Sequence, residues 1–347
     1  MTQSTMLTKR RVNLKNWYRA LYTIPRFEEG EYVDPVTRWL IAMRAAVLVM
    51  TVISGLLGGL LVLVGAPERF SLGLTVLTTL GLVLAHAGSN LVNDYWDARH
   101  GMDTPDSPRV NYGPQAFVTH DFTPTQLLMG TALILAVAAA IGIYLTTVAG
   151  LPVLAFMALG AALLLFYSGD PFPLKYRGLG ELTVLIVWGP LMVGGTYYIQ
   201  ARELPGWVIL ASLPYALGVT TVLFGKHLDK IAFDAAHGTR TLVVILGEVN
   251  AKRLTLVLVG LMYVLTLALV VMGVLLPTVL LVFLALPLAR VTWRMYTSPK
   301  PSEPPPGYTG WPLWYVGATF IHNRRFGGLY LAGIVLHILI RAFVPLV

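Results

Sequence analysis

The chain has 347 residues, of which 56% are hydrophobic and 12% charged, with a formal net charge of +8. A mean hydropathy of +0.70 excludes an ordinary soluble domain and predicts an all-α, polytopic membrane protein. The chain contains no cysteine, which excludes disulfides and thiolate metal sites.

The first residues do not read as a signal peptide. Lys9, Arg10 and Arg11 run into Asn13, Lys15 and Asn16 rather than into an apolar core. Residues 8–26 carry Lys15, Arg19 and Arg26 on one helical face and Leu14, Trp17 and Leu21 on another. That pattern predicts an amphipathic helix on the inner leaflet. Residues 1–36 therefore read as a cytoplasmic tail and 37–347 as one membrane domain. Nine spans are predicted, at 37–64, 71–96, 124–147, 150–168, 179–200, 206–227, 251–273, 276–294 and 326–346. With the N-terminus inside, nearly all Lys and Arg fall in inner segments, and only Arg69, Arg202 and Arg341 fall outside. This asymmetry predicts an inner-membrane protein with its N-terminus in and its C-terminus out. The positive charge is thus a topology signal, and no nucleic-acid partner is expected.

The second span ends in Asn90-Leu-Val-Asn-Asp-Tyr-Trp-Asp97. Asn90, Asp94 and Asp97 share one helical face, which His86 extends by a turn. Such a row is costly in lipid and is expected to face a bundle interior or a water-filled cavity. Two carboxylates one turn apart suit Mg²⁺, which completes its shell with water and substrate phosphate. A helix cap with a solvated turn would account for Asp97 alone. For His86, a satisfied core histidine is the simpler reading.

Two further inner segments carry chemistry. One runs from Tyr167 through Lys175 and Arg177 to Glu181. The other runs from Lys226-His-Leu-Asp229-Lys230 through Asp234 to Arg240. Asp97-Ala-Arg-His-Gly101 is echoed by Asp234-Ala-Ala-His-Gly238, which implies two similar helix ends facing one cavity. One membrane face thus gathers carboxylates, cations and glycines suited to a metal-bound polyphosphate. Arg44 falls inside the first span. It either meets a carboxylate, phosphate or substrate acid, or it snorkels to the inner interface. Glu181 reads equally as a structural or a catalytic residue. Ser298-Pro-Lys-Pro-Ser-Glu-Pro-Pro-Pro306 cannot be helical, and Trp311, Trp314 and Tyr315 after it read as an interfacial belt.

Asn90-x-x-Asn-Asp-Tyr-x-Asp97-x-x-x-Gly-x-Asp103 resembles the first aspartate-rich motif of the UbiA superfamily of intramembrane prenyltransferases. Asp234-x-x-x-Gly238-x-Arg240-Thr-Leu242 resembles the end of the second. Pro171-x-Pro-Leu-Lys-Tyr-x-Gly-Leu-Gly-Glu181 through Gln200 is similar to the 1,4-dihydroxy-2-naphthoate branch, which makes menaquinone precursors. The resemblance implies a nine-helix bundle and Mg²⁺-dependent transfer from a polyprenyl diphosphate to an aromatic acceptor, within membrane lipid. By the same resemblance Asp94 and Asp97 are metal ligands, with Asn90 and Asn93 beside them. Asp234 serves a second metal. Lys175, Arg240 and Arg177 grip diphosphate. Tyr167, Tyr197 and Tyr198 are candidates to face an allylic cation.

The second motif departs from the family pattern. A second aspartate is expected four residues before Asp234, where this chain has Lys230, and Asp229 stands one residue early. On a regular helix Asp229 points about 140° away from Asp234. Two readings follow. Either the Lys230 ammonium contacts diphosphate in place of a metal, or an irregular helix lets Asp229 bind metal. Another acceptor (a phenol, a tetrapyrrole ester or a glycerol lipid) and a non-catalytic lipid-binding or transport role are the alternatives to naphthoate prenylation.

Overall fold

The computed structural model describes residues 13–23, 27, 32–102, 122–308 and 310–343. The loop positions Asp103, Ser107 and Arg109 and the first residues of the tail lie outside them. Helix α1 (Leu14–Tyr22) is amphipathic, as its sequence predicts. Its Trp17 indole donates to Asp34 Oδ1 at 2.9 Å. Asp34 also caps α2 (Pro35–Ala42), accepting from the amides of Val36 and Thr37, and Pro35 sits in the first turn, where no amide donor is needed. Burial pushes the Asp34 carboxyl up, but hydrogen bonds from Thr37, Trp17 and Val36 outweigh it and hold the group below its ordinary value.

The predicted first span is broken. Helix α2 ends at Ala42, and α3 (Ala45–Gly65) starts after Arg44, which adopts a left-handed conformation (φ 55°, ψ 49°). That region is uncommon for a side-chain-bearing residue and is retained where surrounding contacts hold it. α4 (Leu72–Arg99), α5 (Pro124–Ala149) and α6 (Pro152–Phe166) follow. α7 (Gly180–Ala201) contains one wide turn at Val187–Leu191, around Pro190. α8 (Gly206–Leu228) and the short α9 (Ile231–Ala236) carry the second motif. α10 (Leu242–Val271) is kinked at Gly247 (φ 75°), which accounts for a span that starts earlier than residue 251. α11 (Pro277–Thr297) and α12 (Tyr315–Phe343) complete the bundle.

Eight of these helices are long and apolar enough to cross a membrane. The ninth expected span, α6, has 15 residues. At 1.5 Å per residue it reaches about 22 Å, short of the roughly 30 Å hydrocarbon layer. α12 starts at Tyr315, not at 326, so Arg324 and Arg325 lie within the helix rather than before it. Among the described residues the only extended pairing is an isolated bridge between Arg177 and Arg240.

α3 is central because it packs on both α4 and α7. Small residues make this possible. A Cβ on Gly58 would fall 2.6 Å from the Val193 carbonyl oxygen, and one on Gly55 would fall 2.4 Å from Thr79 Oγ1. The core along this seam holds Leu57, Leu61, Tyr215, Met262, Phe326 and Tyr330, all fully buried.

Candidate active site

The polar face of α4 is buried and partnered along its length. His86 Nδ1 lies 2.8 Å from Thr51 Oγ1, and the ring meets Trp188 edge-on. His86 is thus a satisfied histidine. Asn90 donates to the Met43 carbonyl at 2.9 Å, next to the α2–α3 break. Asp94 pairs with the Arg44 guanidinium. Arg44 therefore has a carboxylate partner, and the break in the first span aims it at α4. The snorkelling alternative is not what the structure places there.

One turn on, Asp97 gathers donors from another loop. Lys175 Nζ donates to both Asp97 oxygens, at 2.6 and 2.7 Å, and the Tyr176 hydroxyl donates to Oδ1 at 2.5 Å. Asn93 donates to Oδ2 at 2.9 Å and accepts from Ser168 Oγ at 3.2 Å. Lys175 is 1% exposed. A lysine so buried needs such a partner, because an isolated ammonium would be heavily penalised there.

The second motif approaches the first through its backbone. Gly101 and Gly238 both take positive φ, 70° and 69°. The amide after each, of Met102 and Thr239, bonds back to the carbonyl of Asp97 and Asp234 respectively, at 2.8 and 2.9 Å. The echoed pentapeptides are therefore two equivalent glycine C-terminal caps. Thr239 Oγ1 donates to Met102 Sδ at 3.1 Å, so the two caps touch. The Arg177–Arg240 bridge ties the Lys175 loop to the same place.

Lys230 Nζ lies 2.9 Å from Asp234 Oδ1. The approach angle does not make a hydrogen bond, and both Asp234 oxygens, although fully buried, lack a hydrogen-bond donor. Lys226 feels the charges of Arg44, Lys175, Lys230 and Asp97, and the Lys230 charge also acts on Asp97. Four basic side chains and three carboxylates thus form one nest. Sequence reasoning did not assign Tyr176, Ser168 or the buried Glu181–His227 pair, whose Oε1–Nδ1 distance is 2.7 Å. Glu181 alone stood out as a structural or catalytic residue and Tyr176 adjoins Lys175, but nothing in the sequence paired Glu181 with His227. The pair ties α7 to α8 and gives Glu181 a structural partner.

Five expected site residues are elsewhere. Asp229 accepts from Lys300 Nζ at 2.8 Å and from the amides of Trp314, Tyr315 and Val316 at 3.0–3.2 Å. Its carboxylate caps the start of α12 and is used up there, so it is no second metal ligand. Arg177 is exposed, stacks over Phe172 and donates to the Pro171 carbonyl at 3.3 Å. Arg240 is exposed, and only its backbone joins the site. Tyr197 is a core residue packed on Trp207, and Tyr198 packs on Phe156.

Above the charged nest is a cavity of about 1490 Å³. Arg44, Asn90, Asn93, Tyr167 and Lys226 line its polar end, and aliphatic side chains of α5 and α6 line much of the remainder. This exceeds the roughly 300–1,000 Å³ of ordinary small-molecule pockets and suits a long apolar chain with an anionic head. Among the described residues no three His, Asp or Glu side chains form a cluster that could hold a metal alone. The donor set still fits Mg²⁺, which takes one or two carboxylates and fills its shell with water and phosphate oxygens. The donor-free oxygens of Asp234 favour that fit.

A family model described as UbiA prenyltransferase family matches residues 44–337. The chain belongs to this family. It is 32% identical over 246 residues to a 1,4-dihydroxy-2-naphthoate octaprenyltransferase of Haemophilus influenzae, covering 68% of this chain and 78% of that one. Proteins of the same name from Bacillus subtilis and Escherichia coli are 28% and 37% identical over 57% and 52% of this chain. Those matches span 63% and 59% of the relatives' own lengths, less than two thirds. Among solved structures, a UbiA homolog from Aeropyrum pernix K1 aligns over 82% of this chain and 97% of its own, at 20% identity and a TM-score of 0.60. A UbiA homolog from Archaeoglobus fulgidus, bound to GPP and Mg²⁺, aligns over 86% and 99% at 18% identity and a TM-score of 0.55. The fold is therefore that of the UbiA bundle, and the chain is an integral membrane protein.

Proposed function

We propose that this UbiA-family chain transfers a polyprenyl group from a polyprenyl diphosphate to an aromatic quinone precursor such as 1,4-dihydroxy-2-naphthoate, as a step toward menaquinone. The observation that carries this reading is a large, mostly apolar cavity lined by Arg44 and Lys226, two members of the nest of basic groups and carboxylates. Several relatives are named for this transfer.

Arg44, Lys175, Lys226 and Lys230 would hold the diphosphate, and the apolar chamber would take the prenyl tail. Asp94, Asp97 and Asp234 would hold Mg²⁺, with Asn90 and Asn93 keeping the α4 carboxylates in place. Bound there, Mg²⁺ would supply positive charge against the leaving diphosphate. The allylic C–O bond breaks with its electron pair leaving on diphosphate, a ring carbon of the acceptor attacks the allylic carbon, and the ring regains aromaticity by releasing from that carbon a proton or, where it bears the carboxylate, CO₂. Tyr167 and Trp188 line the chamber and offer aromatic faces to a developing cation. Residues 1–36 would lie on the cytoplasmic face as a tail, and the site would open to that side of the inner membrane.

The test is transfer from labelled geranylgeranyl diphosphate by membranes carrying the protein, with a panel of aromatic acceptors and with or without EDTA. Prenylated naphthoate product that EDTA suppresses and Asp94→Asn abolishes is the expected result. Product with a phenol or glycerol lipid alone would reassign the acceptor.

A further inference from the structure

We propose that Arg324 and Arg325 form a second anion subsite of the same cavity, which takes the carboxylate of an aromatic acid acceptor. The proposal rests on the prenyl-transfer reading and gives it a specificity determinant. Both arginines line the cavity. They stand nine and ten residues beyond Tyr315, the first residue of α12. At 1.5 Å per residue that is about 14 Å along a 29-residue helix. Arg324 is half-buried and Arg325 exposed, and guanidinium groups that line a largely apolar cavity call for an anionic partner.

Nothing in the diphosphate site accounts for them. Arg44, Lys175 and Lys230 each meet a motif carboxylate. Among the described residues neither Arg324 nor Arg325 has a carboxylate partner, and Arg324 instead lies over the Tyr22 ring at 4.7 Å. With no carboxylate paired to it among the described residues, the pair suits an anion that comes without Mg²⁺. A guanidinium fork matches a carboxylate in two parallel hydrogen bonds. Tyr22, Tyr308 and Trp311 line the same cavity and supply flat walls for a ring system. An aromatic carboxylic acid satisfies both features, whereas a phospholipid headgroup satisfies only the charge.

The test uses purified protein in nanodiscs of zwitterionic or anionic lipid. Binding of fluorescent 1-hydroxy-2-naphthoate is followed by anisotropy. Transfer is measured with 1,4-dihydroxy-2-naphthoate and with 1,4-dihydroxynaphthalene, which lacks the carboxylate. Arg324→Gln and Arg325→Gln are expected to weaken probe binding at least tenfold in both lipids. They are also expected to lower the acid-to-diol ratio of kcat/KM at least tenfold, with donor KM moving less than twofold. Arg324→Lys, which keeps charge but loses the fork, should fall between. Unchanged probe binding, equal losses with both acceptors, or an effect seen only in anionic lipid would overturn the subsite. If wild-type protein bound the probe but prenylated neither acceptor, the naphthoate reading would fall and the subsite would stand.

Discussion

Thr239 donates its hydroxyl to the sulfur of Met102 at 3.1 Å, and this contact joins the ends of the two motif helices. Each residue directly follows a glycine that ends its helix in a left-handed turn. The echo between Asp97–Gly101 and Asp234–Gly238 is thus a repeated cap that sets two aspartates on neighbouring helix ends. A bulky side chain at either glycine would strain the turn and move one motif against the other.

Lys175 and Asp97 are buried together, so removing one leaves an uncompensated charge. Lys175→Met is expected to destabilise the protein by about 3 kcal/mol, the scale for breaking a buried pair. The double change Lys175→Met with Asp97→Asn should recover most of that stability and none of the transfer activity. Thermal unfolding in detergent, run beside a transfer assay, separates the two effects. A double variant no more stable than Lys175→Met would refute the pairing.

Asp234 and Asp229 are expected to fail in different ways. Asp234→Asn should lower transfer at least a hundredfold and leave thermal stability nearly unchanged. Lys230→Ala should raise the donor KM at least tenfold, because its ammonium, beside Asp234, is one of the groups proposed to hold the diphosphate. Asp229→Ala removes the cap of α12 and should cost about 1–2 kcal/mol of stability. Its Mg²⁺ dependence should match the wild type. A steep rise in Mg²⁺ requirement for Asp229→Ala would return that residue to the metal site.

Docking of α1 should depend on pH through Asp34. Its carboxyl titrates below the ordinary value of 3.8, so the contribution is complete above 3.8 and is lost as pH falls through the lower folded value. Trp17 emission, taken as the difference from Trp17→Phe, is expected to hold from neutral pH down to about 4 and to shift only below that. Asp34→Ala should show the shifted emission at neutral pH. Titration of the signal near pH 6 would rule Asp34 out as its source.

Topology can be read with single cysteines, because the chain has none of its own. Cysteine at Glu203, between α7 and α8, should react with an impermeant thiol reagent in intact cells. Cysteine at Ser302, between α11 and α12, should react only after permeabilisation. The opposite pattern would place the site on the outer face.

Composition and motif spacing alone determined the membrane class, the helical bundle and the α4 face that carries Asn90, Asp94 and Asp97. These are local properties: hydropathy sets the spans, and a 3.6-residue period sets which residues share a face. The tertiary structure decided the partners. It broke the first span at Arg44 and aimed that residue at Asp94, since a contact fifty residues distant in sequence leaves no periodic trace. It sent Asp229 to cap α12 rather than to a metal, because four donors from residues 300–316 converge on that carboxylate. It left the Arg177 and Arg240 side chains outside and kept only their backbones at the site. It also extended α12 back to Tyr315, which placed Arg324 and Arg325 within that helix rather than before it. Long-range packing of this kind depends on which helix faces meet, and the linear pattern of residues does not encode that directly.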